Sequence, residues 1–460
     1  MEGMRIEKDS LGDVSVPKNA LWGAQTQRSL ENFSAGQNRV PLDLIYALVW
    51  IKRACAQVNG ELGLLDLEIT KSVLFACDKV LEGHYDDQFP LLIWQTGSGT
   101  QTHMNVNEVL ANIASEHMGG KRGNKAPVHP NDHLNIGQSS NDVFPSAMHL
   151  ALSLQVENQL LPAVDNLQKA LEHKARQCRD IVKTGRTHLM DAAPLPFKEV
   201  FRAFSAQIQL SKKQILGAQE QMLALALGAS AVGTGLNCHE ELAPRVCRYI
   251  NEWLDLKVYP ALNKFSALSG HEDDLALSSA QRTLATAVFK LANDLRFLAS
   301  GPRCGLAEMK LPENEPGSSI MPGKVNPTQC EALCMMMVQV IGLDNATAIA
   351  ASQGNFELNV FKPLIFQNTY QSSRLLSEGI SQFIDRCLKG ASIHEDNVAH
   401  YLERSLMRAT ALNAHLGYDA VSSLVRKAHL SGKTLKEIVL EEKVLTLEEF
   451  EELTDPKKMV

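Results

Sequence analysis

Apolar residues recur every three or four positions along several stretches in the middle of the chain. Phe201, Phe204, Ile208, Ile215, Met222 and Leu225 form one such stripe, and Leu284, Val288, Leu291, Leu295 and Leu298 repeat it in steps of four and three. This spacing places each set on one face of an α-helix and predicts two long helices with narrow buried seams. Leu150, Leu154, Leu161, Val164, Leu167 and Leu171 behave likewise, with Pro162 predicting a kink or break, because proline has no N–H for the preceding turn. Glu331 to Gln353 is more uniformly apolar, yet no apolar run reads as long enough to span a membrane. Helices too apolar to stand alone are most economically buried side by side. The middle of the chain therefore reads as an all-α bundle, open to completion by other subunits.

The two ends read differently. Before about Gly137 the chain mixes short helical patterns with turn-rich Val14-Ser15-Val16-Pro17-Lys18-Asn19 and a glycine-rich loop, which predicts a mixed, mostly helical N-terminal domain, 1–137. After about Ile393 short charged helices, Thr434 to Glu442 and Leu445 to Leu453, predict a small helical C-terminal domain, 394–460, and leave 138–393 for the bundle. A length of 460 residues supports that division, because single cores stop growing well below it.

Composition narrows the function classes. The net charge of -7 comes with scattered basic residues, so the electrostatic footprint of a nucleic-acid binder is missing. An anionic substrate is not excluded, since local cations and helix N-termini decide whether a cleft binds an anion. The first residues, Met1 to Asp9, have neither an apolar signal core nor an acid-poor presequence, which predicts a cytoplasmic protein without a membrane anchor. Nine cysteines with no Cys-x-x-Cys pair argue against a disulfide framework and against clustered metal ligation, and fit a reducing compartment. Cys330 and Cys334, four apart on a predicted helix, read as small packing residues.

The most informative stretch for chemistry is Gly317-Ser318-Ser319-Ile320-Met321-Pro322-Gly323-Lys324-Val325-Asn326-Pro327. Asn326 is a good helix N-cap and Pro327 a favoured first helical residue, so free N–H groups should face back toward the loop beside Lys324, which suits an anion. The same local signals fit an ordinary capped surface loop. Three other polar segments add weight, each predicted near a helix start: Thr96-Gly97-Ser98-Gly99-Thr100-Gln101, Gln138-Ser139-Ser140-Asn141-Asp142, and Gly185-Arg186-Thr187-His188. Singly they are a glycine loop, a capping cluster and a structural histidine. His129 and His133 have no convincing metal-ligand context, being outside a clear helix and beside Pro130.

Together these segments resemble the fumarase/aspartase superfamily, and the likeness to class II fumarases runs over essentially the whole chain. The signature Gly-Ser-Ser-x-Met-Pro-x-Lys-x-Asn stands intact at Gly317 to Asn326, accompanied by Thr96 to Gln101, His129-Pro130-Asn131-Asp132, Ser139 to Asp142, Gly185 to His188, Ser300 to Gly305 and Gly354 to Asn359. His188 after Thr187, Gly323 before Lys324, and Thr328-Gln329-Cys330-Glu331 resemble fumarases more than aspartases. Aspartate ammonia-lyase is the nearest rival.

The resemblance implies a mainly all-α, three-domain fold whose long helices complete a multi-helix core in a homotetramer, with active sites shared among three subunits. It implies reversible hydration of fumarate to malate with no cofactor and no metal. Removing a weakly acidic proton beside a carboxylate creates an aci-carboxylate with nearly two negative charges, so electrostatics must supply most of the catalysis. By resemblance Ser318 is the carbon base, His188 and Glu331 handle the water proton, and Ser98, Thr100, Ser139, Ser140, Asn141, Thr187, Lys324 and Asn326 hold the substrate, Lys324 also stabilising charge. His129, Asn131 and Asp132 resemble a second, peripheral dicarboxylate site. There this chain departs from the family pattern, having Lys125-Ala126-Pro127 where a basic residue often comes just before the histidine, and Ile136 where lysine is common.

Overall fold

The structure, a computed structural model, describes residues 3–460 and is mainly helical. It opens with a hairpin, β1 (Met4–Asp9) antiparallel to β2 (Gly12–Pro17). Of the stretch read as turn-rich, Val14 to Pro17 belong to a strand, and only Lys18 and Asn19 form the turn that follows. The strand's signal was the alternation of buried Val14 and Val16 with exposed Ser15, a period of two. Then come α1 (Ala24–Asn32), α2 (Leu42–Glu61), α3 (Leu67–Leu81), α4 (Thr100–His117), α5 (Ser140–Gln155) and α6 (Leu161–Gln177). The expected disturbance near Pro162 is a π-helical turn at Val156–Leu160. The widened turn leaves room for a residue that cannot donate, and helical structure resumes at Leu161.

Next is a second hairpin, β3 (Val182–Thr187) with β4 (Met190–Pro196), followed by α7 (Phe197–Gln221), β5 (Ala224–Leu225), α8 (Leu242–Leu254) and β6 (Tyr259–Pro260), parallel to β5. The α7 stripe is buried at Phe201, Phe204, Ile208 and Ile215 as predicted, but the helix stops at Gln221. Leu225 instead lies in β5, where the Leu223 and Leu225 carbonyls accept the Tyr259 and Ala261 N–H groups at 2.9 and 2.7 Å. After α9 (Ser266–Ser269), α10 (Glu272–Leu298) buries Leu284, Val288, Leu291 and Leu295 completely. Each such side chain contributes about 1.5–3 kcal/mol relative to exposure.

The remaining elements are β7 (Met309–Lys310), α11 (Thr328–Ala351), α12 (Lys362–Phe383), β8 (Ser392–Ile393) antiparallel to β7, α13 (Glu395–Arg404), α14 (Asn413–Leu416), α15 (Tyr418–Ser431), α16 (Leu435–Glu441) and α17 (Leu447–Leu453). Helix α11 corrects the sequence reading. It is long and apolar enough to cross a membrane by length and composition, and only 33% of its most apolar window is buried in the protomer. Asp344, the one acidic residue in its middle, is buried and satisfied inside the fold, by Arg282 at 2.9 Å and Ser278 at 2.7 Å. The two C-terminal helices begin as predicted, with capping boxes pairing Thr434 with Glu437 and Thr446 with Glu449. Cys330 and Cys334 are buried packing residues.

The chain forms two compact units. The first comprises Met1–Leu161, Lys213–Thr283 and Gln339–Leu375; the second comprises Pro162–Lys212, Leu284–Val338 and Leu376–Val460.

Candidate active site

The first unit holds a hydroxyl cradle. Gly99, at φ +76°, lets the chain turn sharply into α4, and a Cβ on Gly97 would stand 1.3 Å from the Val360 carbonyl oxygen, so only glycine fits there. This turn brings Ser98 Oγ within 2.9 Å of Thr100 Oγ1, which donates to Ser140 Oγ at 2.9 Å. Since each hydroxyl has one proton, Ser98 donates to Thr100 and Thr100 to Ser140, leaving the Ser140 O–H as the free terminal donor. Thr100 and Ser140 are the first residues of α4 and α5. Two helix N-termini, each equivalent to about half a positive charge, therefore meet at the cradle, where a carboxylate is most favourable.

Ser139 caps α5, its Oγ accepting the Asn141 N–H at 3.2 Å, and the Asn141 amide donates to the Ala231 carbonyl at 2.8 Å. The preceding turn is stiffened by Lys52, whose ammonium donates to the Leu134 carbonyl and to Asn135 Oδ1, both at 3.0 Å. Complete burial pulls the Lys52 pKa down to about 7.

The second unit holds the remaining predicted active-site residues, Thr187, His188, Ser318, Lys324, Asn326 and Glu331. Thr187 and His188 are not near a helix start, as the sequence had implied, but at the tip of the β3–β4 hairpin. Thr187 pairs with Met190, leaving His188 and Leu189 as a two-residue loop. Both have positive φ, +58° and +64°, the pattern of a type I′ turn without its usual glycine or asparagine. That conformation costs non-glycine residues roughly 1–2 kcal/mol each, a strain typical of functional sites.

What holds the hairpin was not legible in the sequence. Glu308, fully buried, pairs with Arg186 at 2.8 Å and Lys183 at 3.1 Å, and burial lowers the Lys183 pKa. The one available signal was an isolated carboxylate within Leu306-Ala307-Glu308-Met309. Replacing Glu308 by alanine leaves two partly or wholly buried cations uncompensated and is expected to cost about 3–5 kcal/mol. A thermal melt within a degree of the wild type would show that the cluster adds no net stability.

The Gly317–Asn326 loop closes on itself. Gly317 N–H donates to the Lys324 carbonyl at 2.7 Å, and Asn326 Nδ2 to the Gly317 carbonyl at 2.6 Å. The Asn326 amide thus clasps the loop instead of serving the expected cap, and α11 begins at Thr328. Inside the loop, Ser318 Oγ accepts the backbone N–H groups of Ile320 at 3.2 Å and Met321 at 3.1 Å. Two fixed dipoles therefore point at the oxygen where negative charge would develop.

Thr187, His188, Lys324 and Glu331 are all exposed. Among the described residues of one protomer, His188 and Glu331 form no hydrogen bond or ion pair with each other.

Among the residues expected to form a peripheral site, His129 Nδ1 accepts the N–H groups of Asn131 and Asp132 at 3.2 and 3.1 Å, so the ring proton rests on Nε2. The Asp132 carboxylate 3.4 Å from Nδ1 is therefore no ion pair at neutral pH. Burial agrees, holding the imidazole pKa below its usual value. Lys125 gives its ammonium to the Lys8 carbonyl at 2.6 Å.

The chain is similar to known proteins along its length. Residues 12–342 match the family described as Lyase, and residues 409–460 that described as Fumarase C C-terminus. A class II fumarate hydratase of Thermosynechococcus vestitus is 52% identical over 447 residues, 97% of this chain and 96% of that one. A Helicobacter pylori protein of the same description is 50% identical over 456 residues, covering 99% and 98%. The crystal structure of a class II fumarase from Schistosoma mansoni has a TM-score of 0.96 at 42% identity, with 99% of each chain covered.

Proposed function

The chain belongs to the class II fumarase family and interconverts fumarate and malate, and from that premise we propose which of its residues do the chemistry and where they meet. Ser318 is the base that takes the proton from the malate carbon next to the reacting carboxylate. The observation that carries this assignment is the pair of N–H groups on Ser318 Oγ, since an alkoxide needs such donors to exist near neutral pH. Lys324 adds a full positive charge to the same loop. As the C–H bond breaks, its electrons spread into the carboxylate, and the aci-carboxylate gains most from donors already in place. Ser98, Thr100, Ser139, Ser140 and Asn141 hold one end of the diacid; Thr187, Lys324 and Asn326 hold the other. His188, oriented by Glu331, protonates the departing hydroxide, which leaves as water, and takes a proton from water in hydration.

These residues meet in a homotetramer, each site drawing on three subunits. Two observations support this. The reactive groups Thr187, His188, Lys324 and Glu331 stand exposed in a single protomer, where bulk water would weaken every electrostatic contact. Only a third of the most apolar stretch of α11 is buried in the protomer, and Met335, Val338 and Ile349 stand exposed on it, as suits a bundle helix that other subunits complete. Domain limits of 1–137, 138–393 and 394–460 go with this assembly. His129, Asn131 and Asp132 form a peripheral dicarboxylate site, donating from Nε2–H and the Asn131 amide. Nine free cysteines are consistent with a reducing compartment, which supports reading the enzyme as cytoplasmic.

The test is a dehydration assay on the purified tetramer, following the ultraviolet absorbance of the conjugated product with a chelator present. Malate should give signal and aspartate none; turnover of aspartate, or loss of malate turnover on chelation, would overturn the reading.

A further inference from the structure

Asp142 stands in the first turn of α5, almost wholly buried at 1% exposure, and divides its carboxylate between two chain segments. Oδ1 accepts the Ser139 N–H at 2.9 Å, which completes the capping box of α5. A cap needs nothing more. Oδ2, however, accepts the N–H of Ser230, 88 residues away, also at 2.9 Å.

Ser230 belongs to a loop shaped by left-handed backbone: Gly228 at φ +81°, Ser230 itself at +58°, Gly233 at +101° and Gly235 at +72°. Ser230 Oγ closes that loop on the Leu236 carbonyl at 2.9 Å. The next residue, Ala231, offers the carbonyl that takes the Asn141 amide. One buried carboxylate thus fixes both the segment carrying Ser139, Ser140 and Asn141 and the loop on which Asn141 leans.

We propose that Asp142 is a positioning residue for the hydratase reaction, setting the separation between the α5 N-terminal donors and the 229–236 loop and so fixing the Asn141 amide for substrate. The inference rests on the reading of Ser139 to Asn141 as substrate-binding. It needs the carboxylate ionised, because a protonated or amide side chain presents only one good acceptor and turns a donor toward the other N–H.

The titratable groups around Asp142 are Lys52 and Cys55 from α2 and Cys238 beyond the loop. Burial pushes the Asp142 carboxyl up to about 6, opposed by the Ser139 and Ser230 N–H groups and the charge of Lys52. The bracket is therefore whole above that pH and loses one arm as the pH falls through it. The neutral form of Asp142 is the one that binds substrate poorly.

The experiment measures kcat and KM for fumarate from pH 7 to 5 in the wild-type tetramer, Asp142→Asn and Asn141→Ala. Wild-type KM should rise about tenfold across that range, the size expected for loss of one hydrogen bond to a charged group. Asp142→Asn should show the raised KM throughout, without the pH limb, and with kcat changed much less than KM. A purely structural defect would lower the amount of active enzyme without changing KM or its pH dependence. Asn141→Ala should raise KM as well. If Asn141→Ala raises KM and Asp142→Asn does not, the positioning role is overturned while the substrate-loop reading stands. If neither moves KM, the substrate-loop reading fails and takes the inference with it. Should Asp142→Asn not assemble, the wild-type profile decides: a KM flat from pH 7 to 5 overturns the proposal.

Discussion

Alanine at position 318 is expected to lower kcat for malate dehydration by about two orders of magnitude or more, the usual worth of a positioned base. KM should change far less, because the substrate carboxylates are assigned to other groups. The loop should survive the change: its closure is made by the Gly317 N–H on the Lys324 carbonyl and by the Asn326 amide on the Gly317 carbonyl, neither involving the serine side chain. What is lost is the oxygen at which the Ile320 and Met321 N–H groups are aimed. Those donors hold no ligand from the side chain of alanine, so the variant keeps the cradle and lacks only the group placed in it. Single-turnover and steady-state rates on the purified enzyme measure the effect. A kcat within a fewfold of wild type would remove Ser318 as the base and leave the loop as a substrate clamp.

The long helices were legible because their burial follows from local periodicity. Leu284, Val288, Leu291 and Leu295 sit three or four apart, and any helix through them must bury them together. Where the chain leaves that period, the reading failed for equally local reasons. Leu225 continues the α7 stripe in sequence but pairs in a parallel bridge to Pro260, a contact that periodicity does not encode. The β3–β4 hairpin was hidden because its second strand contains Pro194 and Pro196, which strand signals penalise; a two-stranded ladder tolerates them since one edge has no partner to satisfy.

The candidate site divides the same way. Residue types in short motifs announced Ser98, Thr100, Ser140, Ser318 and Lys324, because hydroxyls, glycines and a lysine beside helix starts are a chemical statement in themselves. The groups that hold those motifs in place were silent. Glu308 reaches Arg186 across 122 residues, and Asp142 reaches Ser230 across 88. A carboxylate's second partner at such a distance is set by the fold alone, and nothing in the neighbouring sequence marks it.

Asparagine at position 188 is expected to reduce kcat by about 100-fold or more, the usual contribution of a positioned general acid-base group. The choice of substitution matters because of the backbone. His188 lies at φ +58°, a conformation that asparagine tolerates better than any residue except glycine, so the hairpin tip should keep its shape. Asparagine also retains a side-chain hydrogen-bond donor while having no proton to exchange near neutral pH. The variant therefore separates proton transfer from simple substrate contact. If His188 only holds substrate, KM should rise and kcat should stay close to wild type. If it handles the water proton, kcat should fall in both directions of the reaction, since the same group must give a proton in dehydration and take one in hydration, and the equilibrium between malate and fumarate is unchanged by the enzyme. Replacing Glu331 by glutamine should then lower kcat in the same direction but by less, because it disturbs the orientation of the ring and leaves the ring itself. Near-normal kcat in a folded His188→Asn variant that assembles as the wild type does would mean that another group moves the water proton and that the strained turn serves only to place Thr187.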